Sequence, residues 1–109
     1  MAIKMIKLIA TDVLQTSKSK GFEINDKKVF AVFKDDEYFV YENKCPHLGI
    51  DLEFLPDQFL DADNALIICS THGALFEIQT GYCVSGPCQG EHLQLIESKV
   101  EQNYLWATI

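Results

Sequence analysis

Two short stretches decide how this chain is read: Cys45-Pro46-His47-Leu48-Gly49 and Cys69-Ser70-Thr71-His72-Gly73. They spell C-x-H and C-x-x-H, separated by the 21 residues from Leu48 to Ile68. A cysteine and a histidine one or two positions apart on a tight loop point toward a common centre. The glycine that follows each pair permits backbone turns that bring amide N–H groups near sulfur. Two such loops make a four-point cage for metal, and two of the three histidines in the chain fall inside it. Structural zinc also takes tetrahedral Cys and His sets, so a zinc-stabilised interaction module is the competing reading. Zinc spacings, however, usually keep Cys pairs and His pairs together rather than interleaving them.

Outward from the motifs the hydrophobic signal is of strand type. Residues 4–9 form a candidate first strand, and 11–20 are polar and expected to be irregular. Residues 21–24 and 28–34 flank the turn Asn25-Asp26-Lys27, and Asp35-Asp36 separates the second of these strands from another over 37–42, which together predict an antiparallel meander. Tyr38-Phe39-Val40-Tyr41 is dense rather than alternating, as a strand covered on both faces would be. Pro46, Gly49, Pro56, Asp57, Asp61, Asp63 and Asn64 mark a long irregular stretch, with one helical turn conceivable over 56–61. Residues 65–69 read as a buried strand running into the second motif, and 74–77 as its return. A Gly-rich loop over 80–90 follows, and strands at 93–99 and 104–109 close the pattern.

The bulk numbers narrow the function. A length of 109 residues, 48% hydrophobic and 23% charged, suits one domain with one modest core. A net charge of −7 argues against nucleic acid or anionic lipid as partner and favours a protein with a positive docking face. The longest apolar runs fall far short of the ~20 residues of a membrane helix. The N-terminal stretch, broken by Lys4 and Lys7, lacks the apolar region of a secretory signal. The expected compartment is therefore the cytoplasm, where four cysteines point to metal rather than to a disulfide framework.

The two motifs, with the strands around them, the Thr80-Gly81 turn and the Gly86-Pro87 pair, resemble the Rieske family of iron-sulfur proteins. The resemblance is detailed from about residue 43 to residue 87 and elsewhere is one of strand pattern. It implies an all-β Rieske fold in which antiparallel sheets form a base (1–42 and 89–109) carrying an inserted cluster-binding subdomain (43–88). It also implies one 2Fe-2S cluster, with Cys45 and Cys69 on one iron and His47 and His72 on the other. Two ferric ions, two sulfides and two thiolates sum to a formal charge of about zero, against about −2 for four thiolates, so an electron is added more easily. Rieske centres accordingly span about −150 to +300 mV, against about −400 mV for plant-type ferredoxins. High-potential members of the family carry a disulfide between the ligand loops, where this chain has Ile50 and Thr71. They also carry a Ser and a Tyr after the second motif, where this chain has Ala74 and Phe76. The expectation is a centre near the bottom of the family range.

By the same resemblance the chain is an electron carrier, not catalytic alone, passing single electrons from a flavin-dependent reductase to a terminal oxidoreductase such as a ring-hydroxylating oxygenase. The alternative is the Rieske-like small subunit of a nitrite reductase-type enzyme. No 2-His-1-carboxylate set follows His72 to supply an oxygen-activating iron. Cys83 and Cys88 are expected to be small buried residues of the covering loop, with a disulfide or redox-active pair as the other possibility. His92 is expected at the surface or a sheet edge. Glu53, Asp57, Asp61 and Asp63 suggest a solvated loop rather than a docking patch, with Phe54 and Phe59 as its anchors.

Overall fold

A computed structural model describes residues 5–46, 51, 52, 57–69 and 73–109. The first half runs β1 (Met5–Ala10), helix α1 (Thr11–Ser17), β2 (Ser19–Ile24), β3 (Lys27–Lys34) and β4 (Glu37–Glu42). The second half contains β5 (Leu66–Ile68), β6 (Leu75–Glu77), β7 (Cys83–Ser85), β8 (Leu95–Ile96), β9 (Ser98–Glu101) and β10 (Tyr104–Thr108). Among the described residues the strands form three sheets, ordered β1-β10-β9, β2-β3-β4-β8 and β5-β6-β7, with antiparallel pairing throughout. The all-β expectation is met.

The two hairpin turns of the meander form as their sequences predict. Asn25 and Asp26 take φ of 52° and 66°, and Asp35 and Asp36 take 52° and 64°, the left-handed pairs that Asn and Asp tolerate in tight hairpins. They fix the register, pairing Ile24 with Lys27 and Lys34 with Glu37, and thereby decide which side chains share a face.

That register explains why β3 is apolar without alternation. Phe30 and Val32 face one core together with Tyr41, while Val29 and Ala31 face a second core with Val40. The central sheet is therefore covered on both sides. The second core holds Ile9, Leu14, Leu105 and Ala107 from the chain-terminal elements. The first holds Cys45, Leu52, Phe59, Ile67, Cys69 and Phe76 from the region of the two motifs. Phe59 stacks on Phe30 with centroids 4.4 Å apart and planes 3° from parallel, so it anchors its loop as expected, with about 0.5–1.5 kcal/mol beyond area burial.

Three local expectations are corrected. Residues 11–20 are not irregular: α1 occupies Thr11–Ser17, without a side-chain cap at Ala10, and ends where the Lys18 N–H donates to Leu14 O (2.7 Å). Its stability comes from Leu14, fully buried, rather than from propensity, since Thr11, Val13 and Thr16 are β-branched. The Gly-rich loop contains a strand, β7, paired with β6 across a register shift. The strand expected over 93–99 is two strands in different sheets: β8 pairs with β4 and β9 with β10. The chain changes sheets at Glu97, whose carbonyl accepts from the Thr108 N–H (2.9 Å).

Tyr41 ties the central sheet to the metal-motif side. Its buried hydroxyl donates to Ile78 O (2.6 Å), and burial pushes its pKa from 10 to about 12. Because the folded pKa lies above the unfolded one, the stabilisation is whole below pH 10 and is lost as pH rises through about 12, amounting to roughly 2–3 kcal/mol. Alkaline denaturation followed by circular dichroism should show this loss. Tyr41→Phe should be about 1–3 kcal/mol less stable at neutral pH through the stranded carbonyl, with a flatter profile between pH 10 and 12. An unchanged alkaline profile would contradict the assignment.

Candidate metal centre

Cys45 follows β4 directly, and Asn43 fixes that exit. The Asn43 N–H donates to Lys28 O (2.9 Å), while its side-chain Oδ1 accepts the Leu52 N–H (2.8 Å). One buried amide therefore holds both ends of the first motif loop, from the strand it leaves to the point where it re-enters the core. Lys28 and Asp51 add an exposed ion pair (2.9 Å), worth little in itself.

Cys69 follows β5, and its own hairpin closes at the base. The Cys69 N–H donates to Ala74 O (2.9 Å), and the Gly73 N–H donates to Cys69 O (2.7 Å). Gly73 has φ of 72°, the left-handed conformation expected of the glycine after the second motif. Cys45 and Cys69 are both fully buried in the same core cluster. His47 and His72 lie outside the described residues, as do Gly49, Ile50 and Thr71. Among the described residues alone, no group of three His, Cys, Asp or Glu side chains could hold a metal ion.

The covering loop is pressed on the second motif by a missing side chain. Gly86 has φ of 102°, and a Cβ built there would stand 2.7 Å from Ala74 Cα. Backbone meets backbone at that point. The loop is also closed on itself: the Cys83 N–H donates to Glu91 O (2.8 Å), the Glu91 N–H to Cys88 O (3.0 Å) and the Gln89 N–H to Gly86 O (3.2 Å). The Thr80-Gly81 turn is formed, with Gly81 N–H donating to Glu77 O (2.8 Å) and Thr80 Oγ1 to Glu77 Oε1 (2.8 Å).

Cys83 and Cys88 are buried free thiols, as expected of that loop. Their sulfurs lie 3.4 Å apart, and Cys83 Sγ donates to Ser85 O (3.2 Å). The Cys88 thiol is pushed up to about 12, first by burial, then by its hydrogen bond to Cys83, the charges of Cys83 and Cys45, and a hydrogen bond to Cys45. All four cysteines belong to one buried cluster, a feature the spacing of Cys83 and Cys88 alone did not reveal.

Two acidic residues expected to be solvated are structural instead. Asp57 Oδ1 accepts the Gly21 N–H (2.8 Å), Oδ2 pairs with Lys20 Nζ (3.2 Å), and its carbonyl accepts from Ser19 Oγ (2.7 Å). Asp61 Oδ1 accepts the N–H groups of Ala65 and Leu66 (2.9 and 3.2 Å), shaping the entry to β5. Asp63 is exposed, and Glu53 and Phe54 lie outside the described residues. His92 is exposed and bridges to Tyr82 at the end of β7, in agreement with the sheet-edge expectation.

The profile of the Rieske [2Fe-2S] domain family matches residues 4–102. The chain belongs to that family. Among curated proteins this Rieske domain is 37% identical over 70 residues to the cytochrome b6-f complex iron-sulfur subunit of Chlorobaculum thiosulfatiphilum, and spans 35% of that protein's length. Among solved structures it resembles the ferredoxin of carbazole 1,9a-dioxygenase from Nocardioides aromaticivorans IC177, with a TM-score of 0.77 at 19% identity, covering 96% of this chain and 97% of that one. It also resembles the plasma membrane Rieske protein of Synechocystis PCC 6803, with a TM-score of 0.74 at 15% identity, covering 95% and 99% of the two chains. At such identities the structural likeness shows the fold.

The cofactor of a Rieske domain is a 2Fe-2S cluster, and the described donors fit it. Cys45 and Cys69 sit buried just beyond β4 and β5, strands of different sheets, with main-chain hydrogen bonds at Asn43 and at Cys69 itself fixing the chain there. The residues packed with them, Ala74 and Phe76, are fully buried and carry no hydroxyl.

Gly86→Ala should drive the covering loop off the second motif, lowering stability by more than about 2 kcal/mol through clash and strain. It should also reduce iron retained per chain. Gly90→Ala is the control: its φ of 96° is strained but no atom stands within 4 Å of the added carbon, so a loss of about 1 kcal/mol is expected. Thermal melts and iron analysis of both variants check this. Equal losses would contradict the contact argument.

Proposed function

We propose that this chain is a Rieske ferredoxin, a one-electron carrier whose cluster is held by Cys45 and Cys69 on one iron and His47 and His72 on the other. The observation that carries the reading is the burial of Cys45 and Cys69 in one core beneath a covering loop, in a chain that matches the Rieske profile from residue 4 to residue 102. When bound, the cluster supplies reversible storage of one electron. The chain's own residues do the rest: β4 and β5 deliver the thiols, Asn43 and Gly73 fix the loops, and Phe30, Phe59 and Phe76 keep water from the sulfur side.

The electron donor in this reading is a flavin-dependent reductase and the acceptor a terminal oxygenase or other oxidoreductase, with the protein acting in the cytoplasm. The likeness to the ferredoxin of a dioxygenase supports an oxygenase-serving carrier. Among the described residues no helix is long and apolar enough to cross a membrane. A second reading, an iron-sulfur subunit of a larger complex, is favoured by the 37% identity to the cytochrome b6-f subunit. Stable co-purification with a large subunit would establish that second reading; recovery as a separate protein that a flavin-dependent reductase reduces would establish the first.

The lack of a hydroxyl at Ala74 and Phe76 supports a midpoint potential in the lower part of the family range, below about 0 mV. His72→Cys should retain a cluster and lower the potential further toward the all-thiolate value of about −400 mV. A potentiometric titration monitored by electron paramagnetic resonance measures both. An intact cluster with unchanged potential in His72→Cys would contradict the ligand assignment.

A further inference from the structure

The charge of this chain is divided sharply along the sequence. All nine basic residues lie outside residues 45–98: eight precede Cys45 and the ninth is Lys99. The same segment holds eight of the sixteen Asp and Glu residues, so it carries a formal charge of −8, while the rest of the chain, with nine lysines against eight acids, carries +1. The net charge of −7 thus belongs to the metal-motif half. Two of its carboxylates are tied back to the base, Asp51 to Lys28 (2.9 Å) and Asp57 to Lys20 (3.2 Å). Asp63, Glu77, Glu91 and Glu97 are exposed.

Within that half, the sheet β5-β6-β7 has an inner and an outer face. Side chains alternate along a strand, and Ile67, Phe76 and Cys83 point into the first core. Leu66, Ile68, Leu75 and Glu77 therefore lie outside, where Ile68 pairs with Leu75 and Leu66 with Glu77. Tyr82 and Val84, on either side of Cys83, continue this face and are 41% and 37% exposed. His92, bridged to Tyr82, places its ring 6.1 Å from the tyrosine ring. The solvent face of an antiparallel sheet is ordinarily polar, yet this one is apolar at every one of those positions except Glu77. It also reaches the second motif, because Ile68 and Leu75 directly adjoin Cys69 and Ala74.

An exposed apolar patch with a polar rim has the anatomy of a protein interface, and the sign of the surrounding charge selects the occupant. A half that carries −8 repels nucleic acid, anionic lipid and a second copy of the same face. We propose that the outer face of β5-β6-β7, centred on Tyr82 and Val84 with Glu77 and Glu91 beside them, docks a redox protein whose own apolar patch is ringed by Lys and Arg. The nearly neutral base faces away from that partner. The proposal rests on the reading of the chain as an electron carrier and adds to it the surface through which one electron leaves the reduced cluster for the partner's acceptor group.

The test uses a basic c-type cytochrome as the partner. Oxidation of the reduced, desalted, cluster-loaded protein by the ferric cytochrome is followed by stopped flow without oxygen. The rate should fall about tenfold or more between low salt and several tenths molar, as steering by opposite charges is screened. Glu77→Lys combined with Glu91→Lys should slow the low-salt rate about tenfold and flatten its salt dependence. Glu23→Lys combined with Glu37→Lys makes the same change of charge on the base and should alter the rate less than threefold. Electron transfer to a small neutral quinone should be the same in all of these proteins, which shows that the cluster is intact. Equal slowing by the two pairs, or a rate independent of salt, would overturn the proposal.

A second measurement needs no variant. Carbodiimide coupling of wild-type protein to the cytochrome, read by peptide mass spectrometry, should join cytochrome lysines to Glu77 or Glu91. Couplings confined to carboxylates of residues 1–44, on a protein that does pass electrons, would overturn the docking face and leave the carrier reading standing. A protein that assembles no 2Fe-2S centre would overturn the carrier reading and this inference with it.

Discussion

The two thiols that must ionise if they hold the proposed cluster are buried in one core of this molecule, and that constraint organises the rest of the account. A thiolate in an apolar core is unfavourable unless a cation neutralises it, and Cys45 and Cys69 are both fully buried among Leu52, Phe59, Ile67 and Phe76. In the proposed reading the surrounding chain must therefore present both sulfurs to one metal centre. It does so with backbone rather than with long side chains. Hydrogen bonds across the loop bases, the Asn43 amide and the Gly86–Ala74 contact each fix main chain close to the motifs.

The base carries this arrangement because its central sheet has two buried faces. Phe30 on one face of β3 stacks on Phe59 of the motif region, while Val29 and Ala31 on the other face pack against the terminal strands and α1. Tyr41 spans the boundary through Ile78, beside Gly81, where an added Cβ would stand 2.9 Å from the tyrosine ring. A substitution deep in β3 is therefore expected to reach the metal motifs through packing, in line with the close-packed, strain-transmitting character of protein interiors.

Much of this was legible in the sequence because the signals were local. The paired motifs stand out by spacing and residue type, and the Asn25-Asp26 and Asp35-Asp36 turns bound strands that form at 37–42 as read and within two residues of it at 21–24 and 28–34. What escaped depended on distant partners. Helix α1 has one fully buried leucine and no cap signature, so its formation rests on tertiary burial. β7 has three residues and is defined by β6. The stretch 93–99 is uniform enough to read as one strand, and only its two different neighbours divide it. The role of Asp57 is set by contacts to Ser19, Lys20 and Gly21, 36 to 38 positions away. Of the four residues read as ligands, the two cysteines are found in one core, and the two histidines lie outside the described residues.

The central claim is that these loops hold a mixed-ligand 2Fe-2S centre that cycles by one electron. The most direct measurement is the ultraviolet-visible and electron paramagnetic resonance spectrum of the purified protein before and after dithionite, with iron, sulfide and zinc quantified on the same sample. The account predicts a red-brown protein with two irons and two sulfides per chain and, on reduction, a signal whose average g lies below that of an all-thiolate ferredoxin. A colourless protein with stoichiometric zinc and no iron, persisting after anaerobic reconstitution, would contradict it.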